Sequence, residues 1–168
     1  MSQPLEIERK YLIAYPDTDA LRRRCSAVYE MEQIYLRAAP GVTARVRRRK
    51  GEKEEFFHTE KERITDRTHV ERERLISREE YEALLLNRDE RAMTIRKMRY
   101  CLPHEGFIFE IDIYPFWEKV AIMEVELERE EQAFTMPEGI TVIREVTHEK
   151  FMKNAALARH VPDEAELL

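Results

Sequence analysis

The sequence predicts a mainly β protein of the α+β class: eight antiparallel strands closed into a barrel, with helices outside. Three observations predict it. Segments alternating at period two recur along the whole chain, most joined by tight turns or a short helix, as in an antiparallel meander. On most of them one face is apolar and the other carries charged residues in pairs, beginning with Leu5-Glu6-Ile7-Glu8-Arg9-Lys10-Tyr11-Leu12. A sandwich with a dry core has no place for so many charged faces. A barrel with a charged lumen and an apolar outer skin accommodates both sets.

In chain order, the first strand puts Glu6, Glu8 and Lys10 on one face and Leu5, Ile7, Arg9 and Tyr11 on the other. Two glutamates so spaced stand roughly 7 Å apart. Tyr15 to Asp19 reads as a turn, with Asp17 or Thr18 capping a short helix through Leu21 to Ala27. Glu32–Ala38 and Thr43–Arg49 read as a hairpin about Pro40-Gly41, and Glu55–Glu62 and Thr68–Ile76 as the next two strands. Ser77-Arg78-Glu79-Glu80 is a capping box opening a helix from about Arg78 to Asn87. Met93–Leu102, Phe107–Tyr114 and Val120–Glu128 complete the eight strands. A short amphipathic segment follows at Glu130 to Phe134, and a last helix runs from about His148 to His160. A single domain is expected, with a core over residues 1–161 and a loose acidic tail over 162–168.

Composition narrows the function. Charged residues are 38% of 168 and hydrophobic ones 43%, with aromatic and β-branched residues throughout, which excludes a disordered chain. A net charge of −5 argues against a general nucleic-acid or membrane-surface binder. Four glycines leave no material for a glycine-rich phosphate loop. The two cysteines, Cys25 and Cys101, and the lack of a signal peptide predict a reduced, cytoplasmic setting. The histidines show no zinc-like spacing and are read as structural. Trp117 lies in a connection and reads as a packing residue.

The charged pairs form one constellation. Successive strands supply Glu6, Glu8 and Lys10; Arg45 and Arg47; Lys61; Glu71 and Glu73; Lys97 and Arg99; Glu110 and Asp112; and Glu124 and Glu126. Inside a barrel the cations would neutralise a polyanion carrying several phosphates. The carboxylates would hold divalent ions against it, and an all-oxygen set suits Mg2+ or Mn2+.

These residues carry a resemblance. Glu6-Ile7-Glu8-Arg9-Lys10 resembles the ExExK signature of the CYTH superfamily, the triphosphate tunnel metalloenzymes. Eight further segments agree in order, among them Ala44-Arg45-Val46-Arg47, Glu71-Arg72-Glu73, Lys97-Met98-Arg99-Tyr100, Phe109-Glu110-Ile111-Asp112 and Glu124-Val125-Glu126. The match spans nearly the whole chain. Its end, Glu145-Val146-Thr147-His148-Glu149-Lys150-Phe151-Met152-Lys153-Asn154, is similar to the bacterial branch that hydrolyses inorganic tripolyphosphate, which usually reads EVTxDKRYxN. Here Glu149, Phe151 and Met152 depart from that pattern, while Lys150 and Asn154 keep it.

The resemblance implies a triphosphate tunnel whose C-terminal helix covers one mouth, with Lys150 reaching the lumen and Phe151 and Met152 packed on the rim. It implies metal ligation by Glu6, Glu8, Glu124 and Glu126, supported by Glu110 and Asp112. Lys10, Arg45, Arg47, Lys61, Lys97, Arg99 and Lys150 would bind the triphosphate. Lys10 would also serve catalysis, with Glu71 and Glu73 orienting the basic residues or the attacking water. The implied reaction is metal-dependent hydrolysis of a small triphosphate or polyphosphate, inorganic tripolyphosphate first, with no nucleic acid and no membrane involved. A nucleoside or thiamine triphosphatase, a class IV adenylate cyclase and a non-catalytic polyphosphate-binding module are the alternatives. A homodimer is compatible with this reading.

Overall fold

The computed structural model describes residues 5–168. Among these residues nine strands form one sheet: β1 (Leu5–Ala14), β2 (Ala27–Leu36), β3 (Val42–Lys50), β4 (Glu54–Arg63), β5 (Thr68–Ile76), β6 (Ile95–His104), β7 (Phe107–Ile113), β8 (Val120–Leu127) and β9 (Val142–Glu145). The order is β5-β4-β3-β2-β6-β7-β8-β1, and pairing of β5 with β1 closes these eight into the expected barrel. All the pairs are antiparallel. Along one edge β1 pairs with β8 from Ile7↔Leu127 to Ala14↔Val120. Its other edge is shared, with β5 on Leu5–Ile7 and β9 on Tyr11–Ile13.

The outward face is apolar, as alternation requires. Tyr11, Ile13, Phe109, Ile111, Met123 and Val125 are buried beneath Leu21 of α1 (Thr18–Arg24), Phe134, Ile140 and Val142 of β9. Val46, Phe56 and Ile76 pack under Tyr81 of α2 (Arg78–Leu84). Both helices are capped where the sequence indicates. Asp17 Oδ1 accepts from the Asp19 and Ala20 amides, and Ser77 Oγ accepts from the Glu80 amide. In the tight β6–β7 turn, Glu105 and Gly106 both have positive φ, 46° and 82°.

Four expectations are corrected. The ninth strand, β9, was not anticipated; it lies outside the closed ring on the edge of β1 that β5 leaves free. The amphipathic segment expected at Glu130 to Phe134 takes no helical form: it is a turn at Glu130 and Glu131 followed by irregular chain. The single C-terminal helix is instead a 3-10 turn at Lys150–Met152 followed by the one-turn α3 (Asn154–Leu157). The break lies at Lys153, whose extended backbone (φ −75°, ψ 145°) both ends the turn and precedes α3. The acidic tail is not loose. α4 (Glu164–Leu167) buries Leu167, and Glu164 Oε1 accepts from the amides of Glu118, Lys119 and Val120. The Trp117 indole donates to the Pro162 carbonyl at 3.3 Å, which fixes it as a packing residue.

The lumen is divided. Towards the β9 end, Leu12, Ile95, Tyr114 and Ile122 point inward and pack with Met152, Leu157 and Leu167 in one dry cluster. The C-terminal segment therefore enters the barrel mouth as part of the core. Met152 is 1% exposed; Phe151, expected on the rim, is 47% exposed and turned to solvent.

Candidate active site

The other part of the lumen is a charged cavity of about 520 Å³. Period-two geometry brings its walls together. β1 contributes Glu6, Glu8 and Lys10; β3 Arg45 and Arg47; β4 Lys61; β5 Glu71 and Glu73. Arg99 of β6, Glu110 of β7, and Glu124 and Glu126 of β8 complete the ring, and Lys150 overhangs it from the C-terminal segment. Cross-strand register explains the neighbours: Glu8 lies opposite Glu126, Lys10 opposite Glu124, and Lys61 opposite Glu71.

Two predicted site residues lie off this wall. Lys97 and Asp112 have fully buried side chains, with Lys97 Nζ 2.7 Å from Asp112 Oδ2. Arg99 takes both Asp112 oxygens, from Nε at 2.7 Å and Nη2 at 2.8 Å. Asp112 therefore has no free oxygen facing the cavity. Both residues share a face with cavity residues but sit one step deeper, where the lumen becomes dry.

Ion pairs hold the remaining charges in place. Lys61 Nζ lies 2.6 Å from Glu6 and 3.4 Å from Glu71, and Lys10 lies 3.4 Å from Glu124. Arg47 bonds Glu73 at 3.0 Å, and Arg99 bonds Glu110 at 2.5 Å. The opposed walls have opposite electrostatic needs. On the β1–β8 side, burial and the neighbouring Glu124 charge push the Glu8 carboxyl up to about 8. Burial also raises Glu6, despite Lys61, and raises Glu126 with help from Glu6 and Glu110. Glu124 is buried too, yet Lys10, Arg99 and Lys97 hold it well below the usual carboxylate range. A nearby cation would favour the charged form of carboxylates raised in this way. Across the cavity, burial and the charges of Arg45 and Arg99 pull Arg47 down to about 10, a crowding that an anion would relieve.

The cavity also contains residues that the sequence reading does not assign to the site. Tyr35, Thr59, Arg63, His69, Lys153 and Asn154 line it. Arg63 and His69 were within reach of pattern reasoning, since each extends a period-two series, Thr59-Lys61-Arg63 and His69-Glu71-Glu73. Lys153 gave no such signal, because it sits at the break between a 3-10 turn and a helix. His69 is 3% exposed, and burial with Lys61 and Lys153 lowers it to about 4. Ligating atoms of Glu6, Glu8 and His69 all lie within 4.8 Å of one another.

No protein-family model and no curated protein sequence matches the chain. Among solved structures, it is similar to the hypothetical protein NE1496 at 30% identity, over 94% of this chain and 99% of that one, with a TM-score of 0.55. A second structure, named as the inorganic triphosphatase NE1496, matches at 29% identity over 94% and 97%, also at 0.55. PH1819 from Pyrococcus horikoshii OT3 shares the fold at 22% identity over 75% of this chain and 80% of that one, with a TM-score of 0.58. The likeness to NE1496 runs through nearly the full length of both chains, the barrel closes as that fold requires, and the charged signature strands line its lumen; the chain belongs to the CYTH superfamily.

Proposed function

We propose that this chain hydrolyses triphosphates with the help of a divalent metal ion, and that inorganic tripolyphosphate is the substrate it serves best. One observation carries the reading: Glu6, Glu8 and Glu126, whose carboxyls are raised by burial and crowding despite Lys61, share a single cavity with Arg47, which burial and the charges of Arg45 and Arg99 lower. A metal–polyphosphate complex has the matching polarity. The likeness to a protein named as an inorganic triphosphatase supports the choice of substrate class.

The carboxylates fit a metal ion, since Glu6, Glu8 and Glu126 all have raised pKa values in the metal-free chain. Glu6, Glu8, Glu124 and Glu126, with Glu110 in support, would hold Mg2+ or Mn2+, whose chemistry here is Lewis acidity towards phosphoryl oxygens and acidification of a bound water. Arg45, Arg47, Lys61 and Arg99 bind the phosphate chain, and Lys150 meets it at the mouth. Lys10, between Glu8 and Glu124, stabilises charge on the transferring phosphoryl group. Glu73 aims Arg47 and Glu71 aims Lys61, by the contacts already described. Asp112 acts one layer back as a positioning residue, fixing Arg99 and neutralising Lys97.

The test is a substrate panel of tripolyphosphate, ATP, GTP and thiamine triphosphate with Mg2+, Mn2+ and Ca2+, assayed for phosphate, pyrophosphate and cyclic nucleotide. Metal-dependent release of phosphate and pyrophosphate from tripolyphosphate, with the highest kcat/KM of the panel, is expected. A cyclic nucleotide product would make the chain a lyase. Binding without turnover of any compound would make it a sensor.

A further inference from the structure

We propose that His69 is a nitrogen ligand to the divalent ion, so that the site selects transition ions such as Mn2+ over Mg2+. This rests on the metal-dependent reading above and adds a residue and a preference to it. The closure of the barrel creates the site, because Glu6 of β1 pairs directly with His69 of β5. Glu8 follows Glu6 on the same face, and ligating atoms of the three lie within 4.8 Å of one another. Three donors each about 2.2 Å from one ion and evenly spread around it stand at most about 3.8 Å apart, so the set needs to tighten by up to about 1 Å, a shift that side-chain rotation can supply.

The ring is not otherwise satisfied. It is 3% exposed, its Nδ1 is buried without a hydrogen-bond partner, and Nε2 has only Lys153 Nζ, 3.3 Å away. A buried polar atom left unpaired is a cost that a bound ligand removes. Mg2+ keeps an oxygen shell and loses water reluctantly, so an imidazole adds little to its binding. Along the transition ions, the affinity of a mixed nitrogen and oxygen site rises from Mn2+ to a maximum at Cu2+.

The experiment is pulsed electron paramagnetic resonance of the full chain loaded with Mn2+, alongside calorimetric titration with Mn2+ and with Mg2+. Wild-type protein should show nitrogen-14 modulation of the manganese echo. His69→Gln should lose that modulation, and its Mn2+-to-Mg2+ affinity ratio should fall at least about tenfold. Should His69→Gln fail to fold, wild-type chain grown with nitrogen-15 histidine must replace the nitrogen-14 pattern by a nitrogen-15 one; His69 is the one histidine on the cavity wall among the described residues. Manganese bound without nitrogen modulation, or an unchanged affinity ratio in His69→Gln, overturns the inference and leaves the metal-dependent reading standing. Failure of the wild-type chain to bind either ion overturns both.

Discussion

Within one lumen, two regions follow opposite rules. Lys10, Arg99, Glu110 and Glu124 line the charged cavity. The next inward residues on the same strands, Leu12, Lys97, Asp112 and Ile122, are 0 to 3% exposed. Of these, Leu12 and Ile122 join the dry cluster, and Lys97 and Asp112 cancel each other. One step along a strand, about 7 Å, separates a region built for ligands from one built for stability. Alternation decides which face of a strand a residue occupies. Depth along the barrel axis decides which rule it then obeys, and the inserted C-terminal segment sets that depth.

The largest expected effect lies on the charged side. Glu8→Gln removes a carboxylate already forced towards its neutral form by burial and by Glu124. Its loss should lower kcat/KM for tripolyphosphate by at least about a thousandfold with no drop in melting temperature. Excess EDTA should stop the wild-type reaction as completely. Activity near wild type at saturating metal would remove Glu8 from the site. On the dry side the effects should reverse. Met152→Ala and Leu157→Ala, at positions 1% and 0% exposed, should each cost about 2–5 kcal/mol by urea unfolding. The fraction that remains folded should retain most of its kcat. If either variant loses kcat before stability, the two regions are less separate than their packing implies.

This difference also explains what the sequence showed. Face was legible: Glu6-x-Glu8-x-Lys10 and Arg45-x-Arg47 announce a charged lumen without knowledge of any partner strand. Depth was not, although a trace exists. Tyr11-Leu12-Ile13 and Val120-Ala121-Ile122-Met123 are apolar on both faces, the mark of a strand buried on both sides. Lys97 and Asp112 had the right alternation at the wrong depth. β9, four residues long, is too short for alternation to register. Alternation puts His69 on the face of Glu71 and Glu73, but Glu6 is its neighbour only through the β1–β5 pairing that closes the barrel, and the sequence shows nothing of that contact.

An intermediate effect should appear in the pH dependence of metal binding. In the metal-free chain Glu8 keeps its proton up to about pH 8, and an ion must displace it. Apparent Mn2+ affinity should rise about tenfold per pH unit below that point and level off above it. Stability of the metal-free chain runs the other way. A carboxyl raised from 4.5 to about 8 in the folded state contributes stability that is present at low pH and lost as pH rises through that window. Melting temperature should therefore fall between pH 5 and pH 8 in EDTA and fall less in saturating Mn2+. A metal affinity independent of pH from 6 to 8 would show that Glu8 is already ionised.

The smallest effect belongs to Phe151, which adjoins the dry region in sequence but not in packing. Met152 is enclosed while Phe151 is 47% exposed, so replacing Phe151 should change stability by less than about 0.5 kcal/mol. Phe151→Arg is the informative variant. It places a guanidinium beside Lys150, which is itself exposed and overhangs the cavity. A solvated charge at that distance is worth at most about 1 kcal/mol, and salt screens it over about 10 Å at 0.1 M. KM for tripolyphosphate should then fall by no more than about fivefold at low salt, with kcat constant and the gain lost at high salt. A salt-insensitive gain would mean that the new arginine grips the substrate inside the cavity. An unchanged KM at low salt would mean that the outward face of this segment does not meet the substrate, leaving Lys150 and Lys153 as the segment's cations on the cavity wall.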